Sequence, residues 1–145
     1  MNVLFTDVMT VYNHFRSGDT EGWTRSVVRG VQWSHNKTEM TVVEGVQAET
    51  KAEKITVDFQ RNYGNKPYLP PDEYRKLPPE QNSAYWTLDA KSGQDVIVLG
   101  ETEQEIDRRY RLSQLKKDFQ YAVTVTSVSD NRNRMRLKNI KVVGK

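Results

Sequence analysis

Short stretches of alternating apolar and polar residues recur along the chain and predict strands with one buried face. The clearest is 54–60, where Ile55, Val57 and Phe59 alternate with polar residues. Comparable patterns predict strands at 8–15, 23–33, 40–46, 84–88, 121–128 and 134–143, and a short apolar run predicts another at 95–99. The chain is therefore expected to form one mainly β domain of the α+β class over residues 1–145, as a small antiparallel β-barrel or sandwich.

The first two predicted strands are expected to form a hairpin, because the Ser-Gly-Asp-Thr sequence at 17–20 is typical of turns. Strict alternation places Trp23 and Trp33 on one face together with Arg25 and Arg29. Two arginines do not suit a surface that faces a core. They are expected either at the exposed ends of the strand or on a face that meets a partner.

One helix is expected in the C-terminal half of the chain. Thr102 and Glu105 have the spacing of a capping box, in which each side chain satisfies a backbone donor near the helix start. Apolar residues follow at helical spacing, namely Ile106, Tyr110, Leu112, Leu115 and Phe119. This pattern predicts a helix that begins at Thr102.

All five prolines lie between Pro67 and Pro79, within a segment that we call the Pro-rich segment, residues 61–82. Proline lacks a backbone donor, so this segment cannot be a central strand or one continuous helix. It exceeds the median connection of about 4–6 residues. We interpret it as a projecting arm with one or two helical turns at 70–77. An alternative is a disordered insertion whose tyrosines fold back on the domain. The candidate interaction residues are Tyr63, Tyr68, Pro70, Pro71, Tyr74 and Leu77.

Composition adds a charge asymmetry. The net charge is +3, but residues 101–145 hold 11 basic and 6 acidic side chains, a net of +5. This basic third is expected to face nucleic acid, to pair with an acidic neighbouring subunit, or to be an ordinary solvated surface. Hydrophobic residues make up 36% of the chain, which predicts a thin core with loops or subunit interfaces. The candidate DNA or subunit contacts are Arg25, Arg29, Arg132, Arg134, Arg136 and Lys138.

Other features restrict the class of protein. The absence of cysteine excludes disulfides, thiolate metal sites and thiol nucleophiles. No apolar run approaches the roughly 20 residues of a membrane span, so no membrane partner is expected. The first five residues lack a basic region and a long apolar stretch, so no signal peptide is expected.

Catalytic candidates are few. His14 and His35 have no carboxylate companion at a suitable spacing. Asp89, Asp95 and Glu101 flank one predicted strand and are the candidates for a hydrolase, although turns favour such residues anyway. We therefore expect no enzyme, no cofactor and no metal. Five aromatic residues either stack on nucleic-acid bases or fill a small β core. These are Tyr12, Trp23, Trp33, Tyr85 and Trp86.

Several short strings carry a resemblance to a known group of proteins. They are VYN at 11–13, GVQW at 30–33, GQDVIVLGE at 93–101, VTVTSVSDNR at 123–132 and VVGK at 142–145. In these strings the chain resembles small proteins of tailed phages and prophages from Gram-positive bacteria. Its expected architecture is similar to that of head-closure (stopper) proteins of the virion neck, which combine a small β-barrel, a long loop and a helix.

This resemblance implies a structural virion protein that forms a homo-oligomeric ring of six or twelve copies. Its implied neighbours are the portal or adaptor, the tail-terminator or tail-tube proteins, and DNA in the channel. The protein would be made in the host cytoplasm and end in the virion neck. Alternatives are another tail-completion protein, a small nucleic-acid-binding barrel that uses Trp23, Trp33, Arg25 and Arg29, and the hydrolase.

Overall fold

The computed structural model describes residues 7–43, 46–59, 63–133 and 138–145. Six strands and two short α-helices follow one another along these residues, with a 3₁₀ helix at Pro79–Ala84. No helix among the described residues is long and apolar enough to cross a membrane. In chain order the elements are β1 (Asp7–Ser17), β2 (Thr20–Val43), β3 (Val46–Asp58), α1 (Pro71–Tyr74), β4 (Val96–Leu99), α2 (Leu112–Asp118), β5 (Ala122–Asp130) and β6 (Asn139–Gly144).

The six strands close into a barrel in the order β1-β2-β3-β6-β5-β4. All neighbouring strands are antiparallel, and β4 closes the barrel by pairing with β1. The predicted mainly β fold is therefore confirmed, with the barrel rather than the sandwich as its form. The predicted β1–β2 hairpin is also present, with Ser17 opposite Thr20.

Gly30 reverses the direction in which the side chains of β2 point. Val8 pairs with Arg29 and Asp7 pairs with Val31, so Gly30 is an extra residue in β2, and its φ of +81° favours glycine. Val28 before it and Val31 after it are both buried. The predicted common face of Trp23 and Trp33 is therefore wrong, because strict alternation cannot detect an inserted residue.

Apolar side chains form two clusters on opposite sides of the barrel wall. The larger cluster fills the interior, and its bulkiest fully buried member is Trp86. The smaller cluster lies between the outer surface of β1 and β4 and the segment that contains α2. It includes Tyr12, Ile106 and Leu115. The segment 101–119 is thus held on the outside of the barrel.

The predicted helix start at Thr102 is wrong, since α2 begins ten residues later, at Leu112. Tertiary contacts occupy the carbonyl groups that a first helical turn would need. Tyr12 Oη donates to the Gln104 carbonyl at 2.6 Å, and Arg25 Nη1 donates to the Thr102 carbonyl at 3.1 Å. The apolar spacing correctly predicted which side chains of 106–119 pack on the barrel. It did not predict that the backbone before Leu112 is not helical.

Strands β2 and β3 continue beyond the barrel as a two-stranded ribbon. The barrel pairs of β2 with β1 end at Val31, and those of β3 with β6 begin at Glu53. Seven further pairs, from Lys37–Ala52 to Val43–Val46, join β2 and β3 to each other. We call residues 37–43 and 46–52 the ribbon, which spans roughly 20 Å at about 3.3 Å per residue.

The predicted strand at 40–46 is misplaced, since the ribbon pairs residues 37–43 with residues 46–52. A two-stranded extension has no barrel interior to line, so its strands do not need an apolar alternation. The predicted strand at 84–88 is also wrong. That stretch has one isolated bridge, between Trp86 and Tyr68, and no ladder.

Candidate functional site

The Pro-rich segment lies against the barrel in its described part, residues 63–82. Tyr74 is only 3% exposed, and its hydroxyl lies 2.8 Å from Thr24 Oγ1. Burial raises the pKa of Tyr74. The predicted helical turn is present as α1. The prediction of a projecting arm is therefore wrong for these residues, because their tyrosines fold back on the domain.

Tyr63 and Asn65 fix the start of this segment to β2. The Tyr63 hydroxyl donates to Asp58 Oδ2 at 3.0 Å. The Asn65 amide forms two hydrogen bonds of 2.9 Å with the backbone N–H and carbonyl of Arg29. The Tyr63 ring covers Gly30, where an added Cβ would lie 2.2 Å from the ring. This contact requires glycine at position 30.

Gly30→Ala is expected to lower the free energy of unfolding by about 2–4 kcal/mol. The substitution combines a left-handed backbone with a clash against the Tyr63 ring. Urea unfolding measures the loss. Gly93→Ala is the matched control, because Gly93 has a φ of +67° but nothing within 4 Å of an added Cβ. It should cost only about 1–2 kcal/mol. Equal losses would mean that the Tyr63 contact is absent in solution.

Tyr68 fixes the middle of the segment inside an aromatic group. Its ring lies 4.8 Å from Trp86 and meets it edge-on, and the Arg132 guanidinium lies 4.6 Å from the Tyr68 ring centre. Burial raises the pKa of Tyr68 to about 12. Asp130 holds Arg132 at 2.8 Å, and this hydrogen bond lowers the pKa of Asp130. The other candidate residues of the segment are half-buried, namely Pro70, Pro71 and Leu77.

The candidate DNA or subunit contacts do not form one surface. Arg25 pairs with Glu105 at 3.0 Å, and Arg29 pairs with Glu101 at 3.1 Å. Lys138 is exposed, and its carbonyl accepts a hydrogen bond from the Phe59 N–H at 3.0 Å. The remaining two candidates, Arg134 and Arg136, lie outside the described residues. Of the described arginines among these candidates, each already has a carboxylate partner within the chain.

Most of the candidate aromatic residues serve the core. Tyr12, Trp33 and Trp86 are buried, whereas Trp23 and Tyr85 are half-exposed. This distribution favours the interpretation that the aromatics fill a small β core. Trp23 is partly exposed but packs against the smaller cluster, and Tyr85 belongs to neither cluster.

The two histidines differ in what is described of them. His14 Nε2 lies 2.7 Å from Glu21 Oε1, so this histidine has a carboxylate companion across the hairpin that spacing along the chain did not reveal. His35 lies among the residues whose side chains the structure does not describe.

Asp95 is the centre of a buried polar network. It is 2% exposed, and its carboxylate accepts hydrogen bonds from the His14 N–H at 2.9 Å, Asn13 Nδ2 at 2.9 Å and the Asp89 N–H at 3.0 Å. Asn13 in turn bonds both the N–H and the carbonyl of Thr87. Burial raises the pKa of Asp95 to about 6. The network joins β1 to the irregular segment 87–95.

The three candidate carboxylates have separate structural roles. Asp89 Oδ1 accepts from the N–H groups of Lys91 and Ser92 and so fixes a turn. Glu101 lies on the surface with Arg29, away from this network. Among the described residues no group of three His, Cys, Asp or Glu side chains is arranged to hold a metal ion. These contacts stabilise the fold, and they do not bring the three carboxylates together as an acid–base site.

A cleft of about 970 Å³ opens between the tip of the β1–β2 hairpin and residues 106–113. Its walls include the half-buried side chains of Phe15, Trp23 and Leu112. Exposed Arg108 and Arg111 also line it. Glu21 and Asp107 line it as well, so apolar, basic and acidic groups meet at one concave surface.

A family model matches residues 4–145, and its description is a family of unknown function, DUF6751. The chain belongs to this family. No curated protein shows significant similarity to the chain. No solved structure shows significant similarity either. Membership of DUF6751 assigns no activity, so the resemblance to phage neck proteins stays a prediction.

Sequence reasoning missed two surfaces of this DUF6751 member, the ribbon and the cleft. The run RRYRLSQLKK at 108–117 was the available signal for the cleft, because it places five cations within ten residues. For the ribbon, the Val-Val-Glu-Gly-Val sequence at 42–46 was a usable hairpin signal.

Proposed function

We propose that this protein is a structural subunit of the neck of a tailed phage, a head-closure (stopper) protein that assembles into a ring and catalyses no reaction. The quoted strings that resemble phage and prophage proteins are distributed between residues 11 and 145. A closed barrel, a helix on its flank and a long proline-containing loop are the three parts that the resemblance implies.

The ribbon is the observation that carries the proposal. A lone two-stranded sheet is marginally stable in water, and its outer edges present unpaired N–H and C=O groups. Within the described part of the chain, neither outer edge of the ribbon has a strand partner. We infer that the ribbon pairs with, or packs on, another protein molecule.

A ring supplies this partner. In a head-to-tail arrangement each copy presents one surface to the next copy and a different surface to the previous one. The ribbon reaches roughly 20 Å beyond the barrel, far enough to lie on a neighbouring barrel. The ribbon, rather than the Pro-rich segment, is then the projecting arm that contacts a neighbouring subunit. Six or twelve copies would sit between the portal or adaptor and the tail terminator or tail tube, around the DNA channel.

Replacing residues 37–52 by an Asn-Gly turn is expected to convert the assembled protein into monomers. The Asn-Gly sequence closes a two-residue hairpin, so the barrel strands keep their connection. Sedimentation velocity measures the assembly state. The unfolding midpoint should change little, because Ala52, the one ribbon residue whose side chain the structure describes, belongs to neither buried cluster. Gly93→Ala serves as a control that alters a turn far from the ribbon.

Imaging of phage particles tests the location. Particles from the host that encodes this chain should show the six-stranded barrel in the neck, between head and tail. A neck built without this chain contradicts the proposal. A full-length protein that remains monomeric at all concentrations, together with an unchanged shortened variant, contradicts the role of the ribbon.

A further inference from the structure

Half of the described arginines lack a carboxylate partner, and all four belong to one region. Arg25, Arg29, Arg75 and Arg132 form ion pairs. The other four described arginines are exposed and have no carboxylate at ion-pair distance among the described residues. They are Arg16, Arg108, Arg109 and Arg111. Arg16 follows Phe15 at the hairpin tip, and the other three lie in or beside the cleft wall.

Two carboxylates, Asp107 and Glu21, line the same cleft but form their contacts with groups other than the side chains of these arginines. Asp107 Oδ1 accepts from the N–H groups of Arg109 and Tyr110 at 2.8 and 2.9 Å. Glu21 pairs with His14. Residues 106–118 hold five cations and two carboxylates, a net charge of +3. The cleft lining itself is balanced, with Glu21 and Asp107 beside Arg108 and Arg111, and the excess positive charge lies on the residues around it.

The cleft also offers aromatic surface beside these charges. Phe15 and Trp23 are half-buried, and the Phe15 ring lies over Gly22, where an added Cβ would be 2.7 Å away. The Trp23 ring meets His14 edge-on with 5.1 Å between ring centres. The volume of about 970 Å³ falls within the range of about 300–1,000 Å³ for small-molecule sites. One or two planar groups fit such a space.

We propose that this cleft binds single-stranded nucleic acid, with a base against Trp23 and phosphates held by Arg108 and Arg111. Aromatic rings stack on any base, and arginine recognises phosphate with two parallel hydrogen bonds. Binding is then independent of nucleotide sequence. The site differs from the Trp33, Arg25 and Arg29 set, whose members are buried or paired.

Two other polyanions would satisfy only part of this surface. A duplex presents phosphates but keeps its base faces stacked, so the aromatic wall would have no partner. An acidic protein segment would neutralise the arginines but has no planar group to stack on Trp23. The proposal is independent of the phage-neck proposal, because it concerns binding by the isolated chain.

Fluorescence anisotropy with a labelled thymidine oligonucleotide of about 15 nucleotides tests the proposal. The full-length protein should bind it in the micromolar range at about 50 mM salt, with log K falling against log salt with a slope of about −1.4 for two phosphate contacts. Trp23→Leu should weaken binding by about 5- to 100-fold. Arg111→Ala should weaken binding and make the salt slope shallower by about 0.7. Circular dichroism verifies that each variant is folded.

Arg29→Ala is the matched control, because it removes one charge from an arginine outside the cleft. Its affinity should stay within about twofold of the wild-type value. An equal loss in Arg29→Ala and Arg111→Ala overturns the site. Absence of binding at low salt also overturns it. A duplex or polyglutamate that binds as tightly as the single strand, together with no effect of Trp23→Leu, also contradicts the proposal. The cleft would then bind a different polyanion, and no base would stack on Trp23.

Discussion

A chain in which a glycine-serine linker of equal length replaces residues 63–79 is expected to lose its cooperative unfolding transition. This segment supplies Tyr68 and Tyr74, which pack on the barrel, and the Lys66 carbonyl, which accepts from Trp86 Nε1 at 2.9 Å. Deleting a large buried aromatic side chain costs about 3–5 kcal/mol. Two such losses approach the whole stability of a small domain, about 5–15 kcal/mol.

The physical reason is that the Pro-rich segment closes one side of the core. The Leu69 N–H donates to the Trp86 carbonyl at 3.0 Å, and the Trp86 N–H donates to the Pro67 carbonyl at 3.1 Å. Without this partner, Trp86 would retain its indole in the interior but lose its backbone and Nε1 hydrogen bonds. Unsatisfied buried donors cost about 1–3 kcal/mol each.

Near-ultraviolet circular dichroism and urea unfolding measure the outcome. The variant with the shortened ribbon is the matched control, since it also removes a long stretch, and the one described side chain of the ribbon, that of Ala52, belongs to neither apolar cluster. It should keep a sharp transition. A linker variant that unfolds as cooperatively as the wild type would mean that residues 63–79 only decorate the barrel, as the projecting-arm interpretation assumed.

Alternation along the chain was enough to predict the barrel strands, because period two reports directly which residues face a core. Val57 and Val125 follow it and are buried. The period fails at Gly30, where one extra residue exchanges the two faces. It also cannot recognise the ribbon, whose strands have no core to face. Register and strand length depend on partners that are distant in the chain.

The candidate site was less predictable, since its chemistry depends on which charges find partners. Sequence alone treats Arg29 and Arg111 alike, but Arg29 pairs with Glu101 and Arg111 has no carboxylate partner among the described residues. The prolines indicated an irregular segment correctly. They did not indicate whether that segment projects into solvent or packs on the barrel. Tyr63 and Tyr74 hold it against the barrel through their contacts.

Asp95→Ala is expected to lower the free energy of unfolding by about 2–5 kcal/mol. The change leaves three donors without their acceptor, two of them backbone N–H groups. The break propagates to Asn13, which also bonds Thr87. Glu101→Gln is the matched control on the surface, where losing the pair with Arg29 should cost at most about 1 kcal/mol.

The loss is also expected to depend on pH in a direction set by burial. Burial raises the pKa of Asp95 from 3.8 to about 6, so the folded state holds this proton more tightly than the unfolded state. The contribution of Asp95 to stability is then fully present below pH 4 and declines as the pH rises to about 6. Two pKa units correspond to about 3 kcal/mol.

Urea unfolding of the wild type and Asp95→Asn between pH 4 and pH 7 isolates this effect, because the asparagine does not titrate and the other groups cancel. The difference in unfolding free energy, wild type minus variant, should fall across this window. A difference that stays constant or rises with pH would show that the three donors, rather than burial, dominate the titration of Asp95.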